Sequence, residues 1–150
     1  MLRDKIMADM KDAMRGGDKA KVSTLRLMNS AIKSADIDAR PKGIDAITEA
    51  EILQVFAKMI KQRRDSVEQF TTGGRPELAA SEQAEIVVIE SYMPQQMSED
   101  DVKAAATAII AEIGAAGMKD MGKVVAAMKD KFAGQMDFGK ASGVVKDLLK

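Results

Sequence analysis

The residues best placed to do chemistry are charged side chains on apolar helix faces. At about 100° per residue, Arg63 falls roughly 20° from Ile52, inside the stripe Ile52, Val55, Phe56, Met59, Ile60, Val67 and Phe70. Arg64 sits at the edge of that stripe, whereas Lys58 and Lys61 point outward. On the following segment, Glu82 and Glu85 lie within roughly 40° of Leu78 on a helical wheel, again on the apolar side. Two carboxylates and one or two guanidinium groups pointing inward from neighbouring helices have two readings. One is an inter-helix ion pair that fixes register, since a buried charge needs a partner. The other is a charged pocket in which a carboxylate serves as acid or base. Inter-helix pairs are the commoner outcome, so the structural reading takes precedence.

A second cluster is Gly117-Met118-Lys119-Asp120-Met121-Gly122-Lys123-Val124, which fits the spacing G-x-x-x-x-G-K. A nucleotide-binding loop also needs Ser or Thr after the lysine, for magnesium, and a strand in front. Val124 occupies the first place and an Ala/Gly stretch the second, so the nucleotide reading fails. What remains is a glycine-flanked helix start carrying Lys119 and Lys123, where backbone N–H groups favour an anion. A solvated helix end and a phosphate contact both fit it. Lys129, Lys131, Lys140, Lys146 and Lys150 continue the basic bias, interrupted by Asp130 and Asp147. Gly114 to Lys150 holds seven Lys and four Asp, a net +3, and Gln95 to Ile113 one Lys and four acids, a net −3. Arginine stops at Arg75, so basic surface beyond it is lysine alone, a point charge rather than a bidentate fork.

Composition removes whole classes of chemistry. The 150 residues contain no Cys and no His. Disulfides, thiolate or imidazole metal ligands and every Cys–His or Ser–His nucleophilic pair are excluded, and no metal or cofactor is expected. The 23 basic and 23 acidic residues cancel, so the overall field does not announce nucleic acid. Charges stand in Met1-Leu2-Arg3-Asp4-Lys5-Ile6, where a signal peptide needs an apolar run, and no run approaches the ~20 residues of a membrane span. The expectation is a soluble, cytoplasmic protein with no membrane partner.

The elements that must position these residues are all helical. Leu2, Ile6, Met10 and Ala13 share a face of a first helix that Gly16-Gly17 ends. Asp18 can cap a second, with the stripe Val22, Leu25, Met28 and Ile32, fading near Ala39 into the loop Arg40-Pro41-Lys42-Gly43. Thr48 and Glu51 make a capping box for a third, which stops at Gly73-Gly74. A fourth begins near Pro76 and carries Leu78, Ile86, Ile89 and Tyr92 until Pro94 breaks it. Pro94-Gln95-Gln96-Met97 is the natural domain boundary. Beyond it Ser98 with Asp101 opens a fifth helix, a sixth runs from about Asp120 to Phe132, and Asp137 can cap a seventh. The fold class is all-α, with an N-terminal domain of about four helices over 1–94 and a small three-helix domain over 98–150. The second, near the lower size limit for an independent core, is expected to be the less stable.

Several stretches resemble the YqeY family. They are Arg63-Arg64-Asp65-Ser66-Val67-Glu68-Gln69-Phe70, Gly74-Arg75-Pro76-Glu77-Leu78-Ala79, Glu82, Glu85-Ile86, Ser91-Tyr92-Met93-Pro94-Gln95-Gln96-Met97-Ser98 and Gly117 to Val124, with Arg26 and Ala31-Ile32-Lys33 earlier. The resemblance covers essentially the full chain; Met93, where the family commonly has Leu, is a mild departure. It implies an N-terminal helical domain followed by a domain similar to the tail of the B subunit of the glutamine-dependent aspartyl/glutamyl-tRNA amidotransferase. That tail helps hold tRNA, while the ATP-dependent chemistry and the glutaminase lie elsewhere in that enzyme. The resemblance therefore implies a tRNA-contacting accessory or adaptor in translation, whose RNA contacts would be Lys119, Lys123, Lys129, Lys131 and Lys140. A helical protein–protein adaptor and an amidotransferase component (a carbon–nitrogen ligase with glutamine as amido donor) stand as alternatives, because fold analogy alone does not transfer an activity.

Overall fold

The computed structural model describes residues 1–150 and contains seven α-helices and no strand. They are α1 (Leu2–Arg15), α2 (Lys19–Ala39), α3 (Glu49–Thr72), α4 (Pro76–Glu90), α5 (Glu99–Ile113), α6 (Met121–Lys131) and α7 (Phe138–Leu149). The all-α expectation holds. Contacts divide the chain into two compact units, Met1–Met93 and Pro94–Lys150.

Side chains start the helices as the sequence suggests. The Asp18 carboxylate accepts from the Lys21 amide, Thr48 Oγ1 from Glu51, Ser98 Oγ from Asp101, and Asp137 from Gly139 and Lys140. Each replaces a partner that the first turn of a helix lacks. Gly114 ends α5 at φ 74°, a conformation that a Cβ would strain, and its amide bonds to the Ile110 carbonyl.

Three local departures from the sequence reading have clear causes. Arg40–Lys42 is a 3-10 turn rather than open loop, because Pro41 can stand in a first turn at no loss of a hydrogen bond. Met118–Asp120 forms another, leading into α6. Helix α4 stops at Glu90 instead of running on to Pro94. Ser91 Oγ donates to the Val88 carbonyl, and Met93 precedes a proline, which disfavours helical backbone. Tyr92 thereby leaves the helix.

In the first unit, α2 touches α1, α3 and α4, while α3 and α4 form the most extensive helix pair. Ile6, Leu25, Met28, Ile32, Ile52, Phe56, Ile86 and Ile89 are almost fully buried between them. In the second, α5, α6 and α7 each pack on the other two. Its core is Val102, Ala106, Ile109, Val124, Met128, Met136, Ala141, Val145 and Leu149. No helix is long and apolar enough to cross a membrane.

One polar hub ties the first unit together. Arg3 holds Asp36 with two parallel hydrogen bonds, Nη1 to Oδ2 at 2.8 Å and Nη2 to Oδ1 at 2.7 Å. The Ile47 amide donates to the same Oδ1 at 2.8 Å, and the Leu2 amide donates to Glu49 Oε1 at 2.7 Å. These bonds fasten the start of α1, the end of α2 and the approach to α3. The Arg3 guanidinium and the Ile47 amide together hold the Asp36 carboxyl down at about 2, from an ordinary 3.8.

A carboxyl depressed in the folded state binds its proton more readily once unfolded. Its contribution to stability is therefore complete above about 3.8 and is lost as the pH falls through about 2. We predict that the denaturant midpoint of the wild type drops between pH 5 and pH 2 by more than that of Asp36→Asn. Parallel curves for the two proteins would rule out Asp36 as the source.

Candidate functional site

The charged cluster on the α3–α4 pair is a graded ion-pair ladder. Arg63 Nε donates to Glu85 Oε2 at 2.9 Å, and its Nη1 donates to the Met59 carbonyl at 3.3 Å. The side chains are 15% and 26% exposed, so the pair is half-buried rather than sealed in the core. Arg64, at the stripe edge, turns to Glu90 at 2.7 Å and not to either of the two inward acids. Glu82 is half-buried and has no cationic partner within ion-pair distance. Arg63 and Glu85 are thus brought together, and Arg64 and Glu82 are not joined to them. The Arg63 guanidinium is committed to a carboxylate and a carbonyl, and Glu85 to Arg63. A shallow depression does lie farther along α3, lined by Asp65, Glu68, Gln69, Thr72 and Gly73. No group of three or more carboxylates gathers in a way that could hold a metal ion.

The lysines of the second unit are dispersed. Lys119 lies exposed in the turn before α6, Lys123 and Lys129 are exposed on α6, and Lys140 is exposed in the first turn of α7. At 100° per residue, Lys123 and Lys129 stand roughly 120° apart, and Lys123 shares its side of the helix with Asp130. Lys131 is engaged across the helix pair by Glu112 at 2.9 Å. Lys119, Lys129 and Lys140 have no carboxylate within ion-pair distance, so their charge is uncompensated by direct contact.

The glycine-flanked segment is less open to an anion than its sequence suggests. Asp120 Oδ2 accepts the Ala116 amide at 3.0 Å, and Asp120 Oδ1 lies 4.0 Å from Lys123 Nζ. With its side chain only 18% exposed, Asp120 already places a carboxylate at this helix start. It satisfies one backbone donor and offsets one of the two lysines. Like charge beside an incoming phosphate weakens the contact. Gly117 is extended backbone and Asp120 bonds back to its carbonyl, which closes the turn on itself.

Two further polar clasps were not singled out by motif. Beside the Arg3–Asp36 hub, Tyr92 is 8% exposed and its hydroxyl donates to Asp9 on α1. Burial pushes the Tyr92 phenol well above the usual tyrosine range, and the hydrogen bond to Asp9 adds to the shift. Lys5 places its ammonium 5.2 Å from the ring centroid, a cation–π contact. Asp36 carried a usable signal: it lies four residues after Ile32, on the continuation of the α2 stripe, where a carboxylate needs a partner.

Comparison with known proteins gives a consistent picture. Residues 3–149 match the family model described as Yqey-like protein. The protein of Lachancea thermotolerans named Altered inheritance of mitochondria protein 41, mitochondrial, is 34% identical over 107 residues, 70% of this chain and 56% of that protein. Its namesake in Saccharomyces cerevisiae is 37% identical over 90 residues, 60% of this chain and 47% of that protein. The Eremothecium gossypii protein of the same name is 33% identical over 107 residues, covering 70% and 57%. The chain spans about half the length of these curated relatives. They are named as mitochondrial proteins, which overturns the cytoplasmic expectation drawn from the charged N-terminal stretch. That stretch spoke only to a secretory signal, which is one address among several.

The half-burial of Arg63 sets the size of its effect. Fully buried pairs cost ~3–5 kcal/mol to break from one side, and this pair, partly wetted, should cost about 1–3 kcal/mol. We predict that Arg63→Ala lowers the melting temperature by several degrees while Lys61→Ala, on the exposed side, changes it little. Calorimetry on both variants checks this, and equal small shifts would remove the pair from the account.

Proposed function

The chain belongs to the YqeY family, and from that premise we propose that it is an accessory or adaptor protein that contacts tRNA through its C-terminal unit. The supporting observation is the trio Lys119, Lys129 and Lys140, exposed and without carboxylate partners on a unit that carries no arginine. Such a surface neutralises phosphate without reading bases. Base stacking needs aromatic or guanidinium planes, and the only aromatics of this unit, Phe132 and Phe138, are packed partly into its core. The engaged Lys131 and the partly offset Lys123 contribute less than the trio. The translation-related role and the relation to the amidotransferase tail come from the family resemblance, and the chain acts in this reading as a holder of RNA rather than as a ligase.

A protein–protein adaptor without RNA is the second reading, favoured by exposed apolar side chains on the first unit. Met7 and Met14 are 44% and 49% exposed on one side of α1, and Val87 is 59% exposed on α4. In that reading a helical protein is captured and RNA is not.

Lysine–phosphate binding has a distinctive salt signature. Each phosphate contact contributes about one to the slope of log affinity against log salt. We predict weak, sequence-indifferent tRNA binding that falls steeply with salt. The triple variant Lys119→Glu, Lys129→Glu, Lys140→Glu should bind less tightly, with a slope smaller by about three, at unchanged helical circular dichroism. Lys103→Ala, among the acids that open α5, should leave both quantities unaltered. Absence of tRNA binding by the wild type at low salt would end the RNA reading and leave the protein–protein one.

A further inference from the structure

The connection between the two units is fastened at both ends almost to its middle. On one side, Tyr92 is buried with its hydroxyl on Asp9, and Met93 packs against the first core while its amide bonds to the Glu90 carbonyl at 3.0 Å. On the other, Met97 packs against the second core and its amide bonds to the Gln135 carbonyl at 2.8 Å. Gln96 Nε2 donates to the Gly134 carbonyl, in the loop between α6 and α7. Between these anchors stand only Pro94 and the exposed Gln95.

We propose that this short segment is a built-in hinge, with backbone freedom confined to Pro94 and Gln95 and its limits set by the Tyr92 and Gln96 anchors. Proline contributes no φ freedom and holds Met93 to extended backbone. The torsions left are ψ of Pro94 and φ and ψ of Gln95. Gln96 also reaches back to the Pro94 carbonyl at 3.4 Å, which restrains the first of these. The result is a pivot of few torsions rather than a flexible tether, because a tether needs a run of unanchored residues to sample many directions. Each unit then moves as a body while its own packing is preserved, as hinge residues do when they absorb the whole backbone change. This inference is independent of what either unit binds.

The test uses the full chain. Residual dipolar couplings are fitted separately to residues 1–93 and 97–150, and amide relaxation is measured across the junction. The hinge predicts different alignment magnitudes for the two sets. It also predicts order parameters that fall below about 0.6 at Gln95 and stay near about 0.85 at Tyr92, Met93 and Met97. Gln96→Ala should extend the mobile stretch to Met97 and speed exchange of its amide by about tenfold. A single alignment for both sets overturns the proposal. So does mobility spreading into residues 86–93 or 98–105, or an unchanged Met97 amide in the variant.

Discussion

Burial of aliphatic side chains between helix faces is the interaction on which the rest of the structure depends, because aromatic residues make up only 3% of the chain. Each fully buried aliphatic side chain stabilises by roughly 1.5–3 kcal/mol, and the two units draw on this unequally. The first buries Phe56, Leu25, Met28 and five isoleucines almost completely, whereas the second buries Met128, Val124 and Val145 to that degree together with the small Ala106 and Ala141. A three-helix unit with so light a core is near the size at which independent stability fails. Lys119, Lys129 and Lys140 are exposed and stand outside that core.

Around the heavier core the polar clasps act as fasteners. Arg3 and Asp36 join the start of α1 to the end of α2, Arg63 and Glu85 join α3 to α4, and Tyr92 with Asp9 joins the end of the first unit back to α1. Each satisfies groups that burial would otherwise penalise, and no buried side-chain polar atom is left without a partner. These three clasps thus set internal register in this unit. Arg63, the most conspicuous polar residue of the sequence, belongs to the same scaffold through its bonds to Glu85 and the Met59 carbonyl.

Much of this is legible in the sequence. The helix starts at Asp18, Thr48, Ser98 and Asp137 follow from local chemistry that acts within three residues. Arg63 could be assigned an inward acid because its position on the wheel is a matter of angle alone. A wheel carries no axial offset between helices, so it could not choose Glu85 over Glu82 or send Arg64 to Glu90. The Asp9–Tyr92 bond spans 83 positions and the Arg3–Asp36 bond 33, beyond any local periodicity. Asp120 shows the opposite limit. Its spacing suggested an open anion site, but its carboxylate folds back onto Ala116, a contact that depends on the turn preceding α6.

The functional account rests on the second unit, which carries no arginine and leaves Lys119, Lys129 and Lys140 exposed without a carboxylate partner, while Arg3 and Arg63 of the first unit are held by Asp36 and Glu85. Mapping where RNA touches the protein tests this most directly. Ultraviolet crosslinking in living cells, followed by mass spectrometry of the RNA-bound peptides, reports position as well as partner. The account predicts tRNA attached to peptides from residues 118–131 and 138–149, with none from residues 1–93. Crosslinks confined to the first unit, or recovery of protein partners with no RNA, would contradict it.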